Sequence, residues 1–168
     1  MRCQAAPYAI LMAFALIAMP GQAAVTVSFV NPESYTDAGD AEQDPRQTLI
    51  LIDRYLKDSA GRYLSPQESL RIEVLDVALA CRPRALGSVY SVTRVCTGQA
   101  DWPRIELRYV LVSATTPSAL AAETVVDTTY LRRLETKYSS ASLPYEKRML
   151  DEWFKARFAS RVPASPAP

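Results

Sequence analysis

The sequence predicts an α+β fold: a mostly antiparallel sheet of four to five strands with two main helices on one face, in the order β-α-β-(β)-β-β-α. Three observations carry this. Apolar and polar residues alternate with period two in three separate stretches, which is the signature of half-buried strands. Two other stretches repeat apolar residues at helical spacing and so carry one apolar face each. Strands that follow one another in the chain usually pair, and helices with a single apolar face need a sheet to cover.

Val25, Val27 and Phe29 alternate with Thr26 and Ser28, and Asn31-Pro32 stops this first strand. A polar stretch runs to Gln43. Asp44 then supplies a helix N-cap, with Pro45 at the first helical position and Gln47 three after the cap. Leu49, Ile52, Tyr55 and Leu56 fall at helical spacing, Ile50 and Leu51 widen the apolar face, and Gly61 offers a left-handed stop. Leu70, Ile72 and Val74 alternate with Arg71 and Glu73 in a second strand. The alternation slips at Leu75-Asp76-Val77, which predicts a bulge.

A short strand is expected within Val89 to Val95. Ile105, Leu107, Tyr109 and Leu111 against Arg104, Glu106 and Arg108 make the clearest strand. Thr116-Pro117-Ser118 turns it, and Ala121 to Thr129 returns as its hairpin partner. Tyr130, Leu134 and Tyr138 are spaced for a brief helix. An amphipathic helix from Pro144 to Phe158 closes the fold. Its apolar face is Tyr145, Met149, Leu150, Trp153, Phe154 and Phe158, with an Asp151–Lys155 pair on the wet side.

Ahead of these elements, Arg2 precedes an unbroken apolar run from Ala9 to Met19, followed by Pro20-Gly21 and Gln22-Ala23-Ala24. A positive flank, a short apolar core and a small-residue exit form a secretory signal peptide over residues 1–23, cut after Ala23. Eleven residues span roughly 17 Å as a helix, too short for a hydrocarbon core of about 30 Å. The expected organisation is a signal peptide over 1–23, one α+β domain over 24–160 and a disordered Pro/Ala tail over 161–168. Export places the protein in the periplasm or outside the cell, with no transmembrane segment in the mature chain.

Removing residues 1–23 takes away Arg2 and none of the 18 acidic residues, so the remaining 18 Lys and Arg balance them. A neutral chain lacks the clustered basic excess of a nucleic-acid binder. Cys3 leaves with the leader. The remaining pair, Cys81 and Cys96, forms one disulfide in an oxidising compartment. A tight turn centred on Leu86-Gly87 would instead set Cys96 opposite Val77, about 13 Å along the strand from Cys81. Disulfides span Cα separations up to about 7 Å. The tight hairpin is therefore set aside, and residues 82–95 become a cross-linked excursion.

The chain contains no histidine, no Gly-x-Ser-x-Gly elbow and no phosphate-cradling glycine loop. Asp37, Asp40, Glu42 and Asp44 invite a calcium reading, but their spacing is not that of an EF-hand and a solvated loop explains them. No catalytic residue, metal site or cofactor is predicted. Asp76 and Glu106 are the least arbitrary pair for a carboxylate mechanism. Tyrosines interleaved with arginines are enriched at binding surfaces, which singles out Trp102, Arg104, Tyr109, Tyr130, Arg132 and Arg133. The competing reading makes the tyrosines amphipathic residues at the core's edge and Trp102 a core plug.

Three segments, Val25–Gly39 (VTVSFVNPESYTDAG), Asp101–Tyr109 (DWPRIELRY) and Tyr138–Phe158 (YSSASLPYEKRMLDEWFKARF), resemble a family of exported Gram-negative bacterial proteins. It is known as domain of unknown function 3016. The resemblance covers most of the chain after the leader, is most specific in the last segment, and leaves out the Cys81–Cys96 region. It implies export and one compact domain and carries no activity. The expected function is a non-enzymatic envelope-associated domain that binds an envelope component or another periplasmic protein. The alternative is a carboxylate-dependent hydrolase of an envelope polymer.

Overall fold

Strand β1 (Ala24–Phe29) leads through a short 3-10 turn at Pro32–Ser34 into helix α1 (Pro45–Tyr63) and strand β2 (Ser69–Ala78). Strands β3 (Arg82–Ala85) and β4 (Val92–Val95) follow, then β5 (Arg104–Val112), β6 (Ala119–Val126), a 3-10 turn at Tyr130–Arg132 and helix α2 (Pro144–Phe158). The computed structural model describes residues 23–40, 43–85, 92–113, 118–132, 138 and 140–159. Residues 1–22 of the predicted leader, the tail 161–168, Leu86-Gly87, Thr116-Pro117, Arg133 and Leu134 lie outside the described residues.

The main sheet runs β1-β2-β5-β6. β1 and β2 are parallel, joined by the α1 crossover, whereas β2–β5 and β5–β6 are antiparallel. The sheet is thus mostly antiparallel and both helices share one of its faces. From that face Leu70, Ile72, Val74, Ile105, Leu107 and Val125 pack into one cluster with Ile52 and Leu56 of α1 and Met149, Leu150, Trp153, Phe154 and Phe158 of α2. Trp153 retains 6% of its surface and Phe154 none.

The predicted bulge lies where β2 pairs with β5: Val74 faces Leu107 and Asp76 faces Glu106, leaving Leu75 as the extra residue. One inserted residue exchanges the two faces of a strand. Asp76 is thereby turned away from the core and Val77 into it, at zero exposure.

Three details differ from expectation. Gly61 does not stop α1; the helix continues to Tyr63, with Leu64 extended and its N–H bonded to Ala60 O. Two contacts draw that last turn on: Tyr63 stacks on Phe154 at 6.0 Å, and Arg62 bonds Asp151 at 2.7 Å. These outweigh a glycine penalty of about 1 kcal/mol. The start of α1 is as expected: the Asp44 carboxylate caps it, accepting the Arg46 N–H at 2.9 Å. Asp151 is half-buried at the seam between the helices and not on the wet side of α2. Finally, the excursion 82–95 is itself a hairpin. β3 pairs with β4 in the register Arg82–Val95, one step inside the disulfide joining Cys81 to Cys96, whose Cα atoms are 4.2 Å apart. This register differs by four from that of a tight turn at Leu86-Gly87, and it brings the two cysteines face to face.

Gly39 needs its residue type: at φ 148, a Cβ would lie 2.1 Å from Gln43 O. That loop leads directly into α1.

Replacing Cys81 and Cys96 with serine opens a loop of 15-residue separation. The expected loss is about 3 kcal/mol, which lowers the melting temperature by about 6–12 °C. Trp153→Ala or Phe154→Ala is expected to cost about 3–5 kcal/mol in urea unfolding.

Candidate functional site

The tyrosine hydroxyls that sequence reasoning offered to a partner are mostly turned inward, onto carboxylates. Tyr130 is 1% exposed and donates to Asp101 Oδ1 at 2.8 Å. Tyr109, half-buried on the helix-covered face, donates to Glu123 Oε1 at 2.8 Å, with its ring edge-on to Trp153 and Phe158. Tyr138 donates to Asp151, and Tyr35 to the Val74 carbonyl at 2.7 Å. Trp102 is half-buried against Ala80, Cys81 and Tyr130. Arg104 stands on the opposite face of the sheet from Tyr109, and Arg132 is exposed on the 3-10 turn. The six singled-out residues therefore do not share a surface, and Arg133 lies outside the described residues.

The buried carboxylates are held by dense donor sets. Burial alone would raise Asp101, but the Thr97 N–H at 2.5 Å, the Tyr130 hydroxyl and the Thr97 hydroxyl together hold it below its ordinary value. Burial is likewise outweighed at Glu123 by Tyr109, Arg157 and Trp153, and at Asp151 by Tyr138, Tyr55 and Arg62. The same contacts act on the tyrosines: burial and Asp101 push Tyr130 up to about 12.

Glu146 behaves differently. It is 3% exposed in the first turn of α2, where its Oε1 accepts the Ala80 N–H at 2.7 Å, and burial raises it above the usual carboxylate range. It lines a cavity of about 170 Å³ with Arg94, Tyr145 and Cys81. Arg94 donates to the carbonyls of Ala80 and Cys81 and pairs with Asp37 at 2.5 Å and Asp40 at 3.0 Å. Two acids of the stretch weighed for calcium thus hold an arginine. Cys81 (φ 67) and Leu143 (φ 57) adopt left-handed conformations beside this cavity, which cost about 1–3 kcal/mol each and persist only where surroundings fix them. Sequence reasoning missed Glu146 and Arg94. The one available signal was Glu146 standing three, four and seven residues before Met149, Leu150 and Trp153, inside the apolar stripe.

The face of the sheet turned away from the helices is the other candidate. Its rows follow from the register: Thr26, Arg71, Val110, Leu120; then Ser28, Glu73, Arg108, Ala122; then Asp76, Glu106, Thr124; then Ala78, Arg104, Val126. Arg104 binds Asp76 at 2.7 Å and Glu106 at 2.6 Å, and Asp76 also accepts from the Thr36 N–H and hydroxyl. Arg108 pairs with Glu73. Arg71 makes no ion pair among the described residues. Leu120 is 70% exposed near Val112 at 46%, and Val126, 44% exposed, lies at the other end of β6 next to Arg104. Three arginines and three acids, with an aliphatic margin, make a surface able to meet a partner of mixed charge.

Asp101, Glu123 and Asp151 titrate lower folded than unfolded, so their contribution to stability is complete above their unfolded values and is lost as pH falls through the folded ones. The melting temperature is expected to drop steeply below about pH 4. Glu146 contributes with the opposite sign: its share is complete below the unfolded value and lost as pH rises through the folded one. Glu146→Gln keeps the bond from Ala80 and is expected to be at least as stable as the parent at pH 7, by thermal melts across pH. Tyr130→Phe, which strips one donor from buried Asp101, is expected to cost about 1.5–3 kcal/mol.

Among the described residues, no helix is long and apolar enough to cross a membrane. No curated protein and no solved structure matches the chain. A family described as "Protein of unknown function (DUF3016)" matches residues 23–156, spanning every element from β1 through most of α2. The chain belongs to the DUF3016 family.

Proposed function

We propose that the protein is exported, loses residues 1–23, and acts as a non-enzymatic, envelope-associated binding domain whose contact surface is the uncovered face of its sheet. The observation that carries this is the two-sidedness of the sheet. One face is consumed by helices, while the other presents balanced charges beside exposed Val112, Leu120 and Val126. The leader pattern and the Cys81–Cys96 cross-link support export. Binding rather than hydrolysis is supported by Asp76 and Glu106. Both are tied to the Arg104 guanidinium on the sheet's open face, whereas a hydrolase needs two acids free to flank a bound glycan. The partner class is an envelope component or another periplasmic protein.

Terminal sequencing of the protein recovered from the periplasm is expected to begin at Ala24. Incubated with purified peptidoglycan, the protein is expected to co-sediment without releasing soluble fragments. Arg71→Glu combined with Leu120→Asp is expected to reduce the sedimented fraction about tenfold while leaving the melting temperature in place. Retention in the supernatant, or release of fragments, is the contrary outcome.

A further inference from the structure

The two edges of the sheet are unlike. β6 carries Glu123 at its middle, aimed at the helix-covered face and bound by Tyr109, Trp153 and Arg157. An inward-pointing charge is one of the devices that blunt a sheet edge, and a second β6 laid alongside would bring two such carboxylates together. β1 has no such device. Its sequence AVTVSF contains no charge, no proline and no glycine.

The hydrogen-bonding groups of that edge can be assigned. The Ala24 N–H donates to Glu68 O and the Val30 N–H to Val74 O, both toward the β2 side. Alternation along a strand then turns the N–H and C=O of Val25, Val27 and Phe29 outward. None of these three has a hydrogen bond on that outer side among the described residues.

We propose that this edge pairs with β1 of a second copy of the chain, antiparallel about a two-fold axis through Val27. Only outward-facing residues can exchange hydrogen bonds across such an edge, so odd-numbered residues must face odd-numbered ones. The register placing Val27 opposite Val27, and Val25 opposite Phe29, is the one that engages all three on both chains. It keeps the helix-covered faces of both copies on the same side and joins the sheets into one of eight strands. It opposes no charge with a like charge, and it sets Thr26 opposite Ser28 on the open face. It also brings the second copy's Phe29 against Val25, which walls a groove of about 490 Å³ between β1 and the end of α1, with Lys57, Gly61 and Leu64. A second copy fits better than a foreign peptide because this one register satisfies both edges at once, and symmetric pairing is the commonest route to a dimer.

Sedimentation velocity of the purified protein over a range of concentrations tests this. The parent is expected to show a concentration-dependent species of twice the monomer mass. Thr26→Lys/Ser28→Lys sets introduced lysines opposite one another only in the dimer, and is expected to raise the dissociation constant about tenfold or more. Thr26→Glu/Ser28→Lys sets opposite charges across the two-fold and matches Arg71 and Glu73 on β2, and is expected to dimerise at least as tightly as the parent. A parent that stays monomeric, or a dimer equally strong in all three proteins, overturns the proposal. Should the double lysine variant melt below the parent, the parent and the Glu/Lys variant still decide: weaker dimerisation of the latter overturns it.

Discussion

Helix α2 carries ionisable side chains into the interior, and each finds its partner on a different part of the chain. Glu146 takes the Ala80 N–H at the exit of β2, Arg148 pairs with Asp127 just past β6, and Asp151 binds Arg62 of α1 and the hydroxyl of Tyr138. Trp153 adds a bond from its indole N–H to Glu123 of β6. Removing one partner from a buried pair typically costs about 3–5 kcal/mol, because the other is left charged and dry. The aromatic cluster of Trp153, Phe154 and Phe158 supplies the burial, and the polar contacts decide where that burial happens. A helix with only the apolar stripe could slide along the sheet; one with polar anchors at the exit of β2, on β6 and on α1 cannot.

The bulge at Leu75 has a comparable effect on the sheet. Without it, Asp76 would continue the even-numbered series Leu70, Ile72, Val74 into the core. With it, the carboxylate joins Arg104, Glu106 and Thr36 on the open side. A single extra residue therefore allows a charged network at one end of a strand that is wholly apolar on the same parity at the other.

Much of this was legible in the sequence, because the longer elements follow one periodicity throughout. β1, β2 with its bulge, β5 and α2 could be read from the alternation or the helical stripe, and so could the pairing of the two cysteines. β3 could not: all four of its residues are exposed, so no buried face imprints a pattern on Arg82–Ala85. The end of α1 was misread because Gly61 is a local stop signal, while the contacts that extend the helix come from α2, nearly ninety residues later. Where the tyrosine hydroxyls point was hidden for a related reason. Composition shows tyrosine beside arginine but not the aspartates and glutamates that fold onto the hydroxyls, and those partners decide whether a tyrosine serves the interior or a surface. The parallel pairing of β1 with β2 also left no local trace.

That parallel pairing sets an order of events during synthesis. A hairpin strand meets its partner within a few residues, but β1 must wait until α1 and all of β2 have been made, about fifty residues further on. At about 5–20 residues per second this is a delay of roughly 3–10 s. Throughout that interval an uncharged strand is accompanied only by sequence that cannot yet pair with it, and such segments are the ones prone to stick to other chains. A chain handed over in extended form, with its first strand shielded until the crossover is complete, avoids that exposure. The topology thus makes the earliest-made strand wait for a partner that lies beyond a whole helix.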